Sequence, residues 1–169
     1  MSPAGQTSAS GEGTGFTTCD LFDADETLQS CSLQFRDLGG RARFSGPVRT
    51  IRCHRDNGLV KQVLNSSGNG AVLVVDGAGS LDSALMGDLI AAAAVRNGWA
   101  GVVINGAIRD RAVMGTLELG VKALGTNPRK SAKDGAGELD VTVEFGGVVF
   151  TPGAKLWADE DGILVTPAA

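Results

Sequence analysis

Two acidic residues and one arginine have the types and positions that a small anion and a divalent metal would need. Asp88 follows Gly87, and Arg109-Asp110 follows the apolar run 101–105. A lone carboxylate such as Asp110 can hold Mg²⁺ or Mn²⁺, which keep several waters and use one or two protein carboxylates. The Arg109 guanidinium presents a rigid fork of donors to a substrate carboxylate or a developing enolate. These residue types predict a metal site with an anion site beside it.

Gly87 interrupts a pattern that predicts a helix over residues 81–97, ending at Gly98. A glycine inside a helix costs about 1 kcal/mol relative to alanine, so it usually has a structural reason. One reason is that a helix begins at Gly87, which leaves backbone N–H groups free to bind an anion. Asp88 could then orient a water that moves protons. From spacing alone, an exposed Arg-Asp pair and an acid stabilised by the helix dipole are the simpler interpretation.

A strand–helix–strand unit from residue 71 to residue 105 would bring these groups to one edge of a sheet. Residues 71–76 and 101–105 are apolar runs, as expected for strands buried on both faces of a parallel sheet. The helix between them implies a right-handed crossover. Its apolar side is expected to face the sheet through four residues: Leu89, Ile90, Ala93 and Ala94. Ligand sites in α/β sheets lie outside the carboxyl ends of the strands, where Arg109-Asp110 follows.

The remaining chain predicts a series of shorter elements around this unit. They are a helix or turn within 17–31 with Thr or Asp caps, strands at 33–36 and 42–53, a helix from Asn57 through Leu64, a short helix at 110–118, and strands at 121–125, 139–145, 147–151, 154–158 and 162–166. Glycine pairs and Asp161-Gly162 mark the turns near the end. We expect one α/β domain over 17–169, with a parallel βαβ centre and an antiparallel β C-terminal part.

Composition excludes several other classes of protein. The chain has 169 residues with a net charge of −4, and no basic stripe of the kind that direct nucleic-acid binding requires. No apolar stretch is long enough to span a membrane, and no signal peptide precedes the domain, so we expect a cytoplasmic protein. Residues 1–16 are rich in Gly, Ser, Thr and Ala, which predicts a disordered leader.

Other chemistries are less well supported by the residue types. His54 is the only histidine, which makes a catalytic triad or a two-histidine metal site difficult to build. Three cysteines without short spacing indicate neither disulfides nor zinc, and we expect Cys19, Cys31 and Cys53 to be small core residues. Residues 76–80 end in Gly-Ala-Gly-Ser, but the third glycine of a dinucleotide motif would fall at Asp82, which would repel a pyrophosphate.

The spacing Asp88, twenty residues, Arg109-Asp110 resembles the Asp/Glu-x20-Arg-Asp signature of the RraA-like 4-hydroxy-4-methyl-2-oxoglutarate aldolases. The resemblance extends over nearly the whole chain after residue 16. It is carried by residues 35–40, 56–59, 74–77, 87–90, 97–99, 106–110, 135–138, 145–148 and 158–162.

The resemblance implies a class II aldolase that cleaves 4-hydroxy-4-methyl-2-oxoglutarate to pyruvate and also decarboxylates oxaloacetate, both through a pyruvate enolate. By the same resemblance, Gly87, Asp88, Leu89 and Ile90 form the substrate-binding turn, Arg109 contacts the 2-keto acid, and Asp110 holds Mg²⁺ or Mn²⁺. The family's fold resembles the swivelling β/β/α domain of phosphate dikinases. Its members assemble as ring-shaped homotrimers with sites at subunit interfaces.

The same family contains the regulator of ribonuclease E activity, which inhibits that nuclease by binding to it. The regulator that names the family lacks the Asp and Arg-Asp set that is intact here, which favours the aldolase over a pure regulator. Position 113 is Val where many relatives carry an acid, so Asp159, Glu160 or Asp161 is expected to supply any further acid. A third alternative is a menaquinone-pathway methyltransferase, which the missing third glycine disfavours.

Overall fold

The computed structural model describes residues 15–167, so positions 1–14 of the predicted leader lie outside the described residues. Phe16, the last residue of that predicted leader, is buried. The described chain contains helices α1 to α4 and strands β1 to β11. In chain order these are α1 Thr18–Ala24, β1 Gln29–Ser30, β2 Arg36–Asp37, β3 Phe44–Arg52, α2 Gly58–Leu64, β4 Val72–Asp76, α3 Asp88–Arg96, β5 Gly101–Ile108, α4 Arg111–Met114, β6 Gly120–Thr126, β7 Glu138–Leu139, β8 Val143–Phe145, β9 Val148–Phe150, β10 Lys155–Asp159 and β11 Gly162–Val165.

The sheet is mixed, with a parallel centre and antiparallel edges. Along the main path its strand order is β1-β11-β10-β3-β4-β5-β6-β2, and β7 pairs with β3 at one end. The pairs β3–β4, β4–β5 and β5–β6 are parallel, whereas β10 and β11 join the sheet antiparallel. The predicted α/β class, with its parallel βαβ centre and antiparallel C-terminal part, is therefore confirmed. The finer likeness to a swivelling domain stays a prediction.

Both faces of the central strands are covered, which explains their unbroken apolar sequence. On one face, α2 and α3 pack through Val60, Leu64 and Ala91 onto side chains such as Leu73. The opposite face carries a second apolar cluster that includes the β8–β9 hairpin. That cluster comprises Cys31, Phe44, Val48, Val72, Val74, Val103, Val143, Phe145, Val148, Phe150, Leu156, Ala158, Ile163 and Val165. No helix among residues 15–167 is both long and apolar enough to cross a membrane.

The helix predicted over 81–97 is wrong in its first half, because α3 begins at Asp88 with Gly87 as its N-cap. The backbone of the preceding segment bonds to neighbouring segments instead. The Ala84 N–H donates to Arg129 O at 2.8 Å, and the Leu85 N–H donates to Ala107 O at 2.8 Å. These tertiary bonds hold the segment extended, so the alternative of a helix start at Gly87 is the correct one.

Leu89 does not face the sheet as predicted, since it is 81% exposed, whereas Ala93 and Ala94 are buried. The helix starts seven residues later than the longer prediction, and its buried side runs through Ala91, Ala93 and Ala94. The predicted helix at 110–118 is shortened to Arg111–Met114.

Strand predictions near the edges also differ from the structure. The strand predicted at 33–36 is reduced to Arg36–Asp37. The strand predicted at 139–145 is split, because Asp140 adopts a left-handed conformation with φ 53° between β7 and β8. Asn57 lies at the N-cap of α2 but makes no capping bond with its side chain. The preceding Asp56 supplies that acceptor, since its Oδ1 accepts the Gly58 N–H at 2.9 Å.

A buried carboxylate ties α1 to the end of β10. Asp159 accepts the Thr18 N–H at 2.8 Å and the Thr18 hydroxyl at 2.6 Å, and the Asp161 N–H at 3.0 Å. Burial raises the pKa of Asp159, but the bonds from Thr18 and Asp161 and the charge of Arg43 outweigh it and lower that pKa. Cys19 is exposed on α1, which contradicts its predicted core position, whereas Cys31 and Cys53 are buried as predicted.

We expect Asp159→Asn to lower the free energy of unfolding at pH 7 by about 1–3 kcal/mol. The free energy of unfolding of the variant should also fall less between pH 7 and pH 3 than that of the native protein. Because folding lowers the pKa of this carboxyl, its stabilisation is present above the unfolded pKa of about 4 and is lost as pH falls through the folded pKa. Urea unfolding at pH 7 and pH 3 would measure this. Asp140→Asn is the surface control, and an acid dependence equal to that of the native protein would contradict the prediction.

Candidate functional site

The start of α3 and the carboxyl end of β5 meet at one place. Backbone bonds join the two segments: Leu85 donates to Ala107, and the Arg109 N–H donates to Met86 O at 3.0 Å. Gly87 therefore lies beside Arg109 and Asp110, although twenty or more residues separate them in the chain. The sequence-predicted residues of the turn and of the Arg-Asp pair are thus brought together.

Gly87 is required by close approach rather than by an unusual backbone conformation. Its φ of −120° and ψ of −169° are extended, which any residue can adopt. A Cβ at this position would lie 2.9 Å from Asp110 Oδ2 and 3.3 Å from Arg109 Nε. The absence of a side chain is what allows the Arg-Asp pair to reach the start of the helix.

Asp110 holds the first N–H of α3. Its Oδ2 accepts the Asp88 N–H at 3.0 Å and lies 3.9 Å from Arg109 Nε. The residue has a left-handed backbone with φ 57°, a conformation that Asp and Asn tolerate better than most residues. Hydrogen bonding from Asp88, above all from its N–H, together with the Arg109 charge lowers the pKa of the Asp110 carboxyl against the opposing effect of burial. Asp110 is therefore an anion at neutral pH.

Donor groups surround the space in front of this carboxylate. The first N–H groups of a helix have no acceptor within it. The N–H groups of Leu89 and Ile90 also find no acceptor elsewhere in residues 15–167. Arg109 is steadied by a bond of 3.4 Å from its Nη1 to Pro128 O. Free N–H groups at a helix start and a guanidinium are both groups that can bind a carboxylate.

These donors open onto a cavity of about 130 Å³. Its walls are formed by Asn57, Lys61, Ala84, Gly87, Asp88, Leu89, Ile90, Arg109, Lys130, Ser131 and Lys133. The volume suits a small organic anion and falls below the range of roughly 300–1,000 Å³ that larger ligands occupy. Asp110 is not among these lining residues; its carboxylate accepts the N–H of Asp88, which is one of them.

Sequence analysis missed the cavity's lysines and Asn57. Lys61, Lys130 and Lys133 line the cavity, and no acidic side chain within residues 15–167 forms an ion pair with any of them. Asn57 is 7% exposed, and its Oδ1 is buried without a hydrogen-bond partner among the described residues. No pattern in the sequence places Lys130 and Lys133 on the same cavity as Arg109.

Other sequence candidates lie elsewhere. His54 lies at the end of β3 beside Asp76 and Glu138, outside this cavity. Asp159 is bonded to Thr18 and Glu160 pairs with Arg43, so within one chain neither supplies an acid to the site. The turn at 77–80 offers no free donor for a phosphate, since the N–H groups of all four residues are bonded within the chain.

The donor set suits a cation that needs few protein ligands. No cluster of three or more His, Cys, Asp or Glu side chains that could hold a metal occurs within residues 15–167. Asp110 accepts its helix bond through Oδ2. Mg²⁺ and Mn²⁺ match this arrangement, because they commonly bind one or two carboxylates and otherwise water or substrate oxygens.

The comparisons with known proteins show the family. A family model for RraA-like proteins, described as Aldolase/RraA, matches residues 18–165. The chain is also similar to the structure of the RNA-processing inhibitor RraA from Thermus thermophilis, with 47% identity and a TM-score of 0.88. That match covers 91% of this chain and 94% of the other.

Two further solved structures carry different names. A protein from Geobacillus kaustophilus HTA426, named S-adenosylmethionine:2-dimethylmenaquinone methyltransferase, is 47% identical with a TM-score of 0.88, over 91% of this chain and 96% of that one. An unusual member of the RNase ES inhibitor RraA family from Streptomyces coelicolor is 30% identical with a TM-score of 0.72, over 89% and 78%. Similar backbones are therefore found in proteins with two kinds of name, inhibitor and methyltransferase.

We expect Gly87→Ala to destabilise the protein by about 1–3 kcal/mol, because the new methyl group must displace the Asp110 carboxylate. Gly115→Ala is the matched control: Gly115 has φ −66°, and a Cβ there would meet its nearest atoms at 3.8 Å. Urea unfolding of the two variants would measure the difference. Equal stabilities would show that Gly87 is not needed for close approach.

Proposed function

The chain belongs to the RraA-like family, and from this membership and the geometry at Asp110 we propose that it is a divalent-metal-dependent class II aldolase of the cytoplasm. Its proposed reactions are cleavage of 4-hydroxy-4-methyl-2-oxoglutarate to pyruvate and decarboxylation of oxaloacetate. The observation that carries the proposal is that Gly87, Asp88 and Arg109 line a small cationic cavity, while Asp110 is bonded to the Asp88 N–H next to them.

Asp110 would hold the cation, with Asp88 close enough to bond to a water beside it. When bound, Mg²⁺ or Mn²⁺ supplies Lewis-acid polarisation of the substrate's 2-keto oxygen. The lowered pKa of Asp110 keeps this ligand ionised at neutral pH. The αL backbone and the bond to the Asp88 N–H fix the direction of the carboxylate before any ligand binds.

Arg109 and the first turn of α3 would bind and orient the 2-keto acid. The N–H groups of Leu89 and Ile90 can donate hydrogen bonds to the substrate's C1 carboxylate, aided by the helix dipole. The Arg109 guanidinium, anchored by Pro128 O, stabilises negative charge as the enolate develops. The Asp88 carboxylate, half exposed at the cavity, would accept the hydroxyl proton of the substrate through a water.

The lysines that line the cavity favour a substrate with a second carboxylate. Both 4-hydroxy-4-methyl-2-oxoglutarate and oxaloacetate are dicarboxylates, so one carboxylate remains after Arg109 and α3 bind the first. Lys61, Lys130 and Lys133 line the rest of the cavity without a protein counter-ion in the described chain. A dianionic substrate would balance this charge.

The proposal includes a homotrimer in which a neighbouring subunit covers the site. Two large apolar side chains beside it are exposed in the single chain: Leu89 at 81% and Val113 at 45%. Leu89 follows Asp88 in the first turn of α3, and Val113 lies in α4, three residues after Asp110. Exposed apolar side chains next to a functional site are typical of surfaces that another chain covers.

The alternative is a protein-binding inhibitor of a ribonuclease E-type nuclease, which the similarity to the Thermus and Streptomyces inhibitors favours. Such a regulator needs neither a metal nor Asp110, so inhibition that survives in Asp110→Asn would support it. The methyltransferase named in Geobacillus gains less support here, because the N–H groups of the 77–80 turn are all bonded.

We expect Asp110→Asn to lower metal-dependent pyruvate release from both substrates by about a hundredfold or more, since several kcal/mol of charge stabilisation depend on the metal. Asp140→Asn is the matched control, because Asp140 shares the left-handed backbone (φ 53° against 57°) but lies outside the site. Pyruvate would be measured with Mg²⁺, with chelator, and against Mg²⁺ alone. If folded native protein releases no more pyruvate than Mg²⁺ alone, the lyase proposal is contradicted and the regulator is favoured.

Substitution of each cavity lysine by Gln, as in Lys61→Gln, Lys130→Gln and Lys133→Gln, is expected to raise KM for 4-hydroxy-4-methyl-2-oxoglutarate about three- to tenfold. The value of kcat should change less, because the proposed contact is with the C5 carboxylate, whose bonds are unchanged when the C3–C4 bond breaks. Lys155→Gln, on the far strand β10, is the control. An unchanged KM in all three variants would remove the lysines from substrate binding.

A further inference from the structure

Asp56 is a buried carboxylate with no cation beside it in the described chain. It is 4% exposed, and every recorded partner is a backbone N–H. Its Oδ1 accepts the Gly58 N–H at 2.9 Å and the Gly135 N–H at 3.1 Å, while its Oδ2 accepts the Asp134 N–H at 3.0 Å. A buried charge that is satisfied only by backbone donors fixes those donors relative to one another.

The donors belong to two separate segments, the start of α2 and the loop 130–136. Backbone bonds join the same segments, from the Asn57 N–H to Ala132 O at 2.8 Å and from the Ala132 N–H to Arg55 O at 3.0 Å. The approach is close, since a Cβ on Gly58 would lie 2.5 Å from Gly135 N. Asp56 extends this contact past Ala132, because its carboxylate accepts the N–H groups of Asp134 and Gly135 in the next part of the loop.

Both joined segments carry lysines into the cavity. Lys61 comes from α2, and Lys130 and Lys133 come from the loop. The Ser131 hydroxyl donates to Ala84 O at 2.7 Å and anchors the other side of the loop, under the segment that leads to α3. The position of the loop, and hence the spacing of the cationic groups across the cavity, is set by these two anchors.

We propose that Asp56 is a positioning residue that holds the 130–136 loop so that the cavity selects dianionic 2-keto acids over monocarboxylates. This inference rests on the proposed function for its ligand class. Asp56 itself touches no substrate; it acts through Lys130 and Lys133. The carboxylate is suited to the task because it offers two acceptor oxygens and no donor, whereas an amide would turn an N–H group toward the N–H donors that it must bind.

The charged state of Asp56 agrees with that task. Burial raises the pKa of the carboxyl, but the backbone N–H groups of Gly58, Gly135, Asp134 and Ala136 together lower it below its ordinary value. The side chain therefore accepts hydrogen bonds as an anion at neutral pH.

The test compares the native protein with Asp56→Asn and Asp159→Asn. Asp159 is a matched control, because it is also buried and bonded to backbone N–H groups but lies at the far end of β10. Hydrogen exchange would report the N–H groups of Asp134 and Gly135, which should exchange about tenfold faster in Asp56→Asn only. Calorimetric titration with Mg²⁺ would compare 2-oxoglutarate, a dicarboxylate, with pyruvate.

We expect the preference for 2-oxoglutarate over pyruvate to fall about five- to tenfold in Asp56→Asn and to persist in Asp159→Asn. Gly135→Ala, which strains the loop at φ +81° and leaves the carboxylate intact, should lower the preference in the same direction and serves if Asp56→Asn does not fold. Unchanged exchange, or faster exchange with an unchanged preference, would overturn the proposal. If the native protein binds neither 2-oxoglutarate nor pyruvate, the proposed function and the proposed ligand selectivity both fail. The hydrogen-exchange rates of Asp134 and Gly135 still decide whether Asp56 holds the loop.

Discussion

The site depends on one short extended segment, residues 84–87, that is bonded to a neighbouring segment on each side. Ala84 bridges to Ala107 at the end of β5 and to Lys130 in the opposite loop. Because backbone bonds fix it on both sides, this segment places the start of α3 between Arg109-Asp110 and the loop 130–136, which carries Lys130 and Lys133. Three stretches far apart in the chain thereby meet at one cavity.

The arrangement separates charge in a way that suits small anions. Asp88 and Asp110 lie at the start of α3, where the helix dipole favours negative charge. The lysines of the facing wall have no ion pairs within residues 15–167, so their charge is directed at the cavity. A protein that is acidic overall, with a net charge of −4, thus keeps a locally cationic pocket.

Sequence patterns predicted the centre of the fold because its signals are local. The apolar runs at 71–76 and 101–105 could only be strands buried on both faces, and Gly87 marked the true start of a helix. The extended segment before Gly87 was misjudged, because its conformation is imposed by bonds to Ala107 and Arg129, which no local pattern encodes. For the same reason no local pattern predicts that Lys130 and Lys133 line the site.

Asp110 joins the stability of the fold to its proposed chemistry. One of its oxygens serves the first N–H of α3, a role that side-chain acceptors usually fill from the N-cap position, where Gly87 has no side chain to offer. Glycine is therefore tolerated as the N-cap because a residue from β5's end supplies the missing acceptor. In the proposed function the same carboxylate would both cap the helix and bind the cation. A scaffold built in this way keeps its ligand group oriented by its own folding, which is the preorganisation that electrostatic catalysis requires.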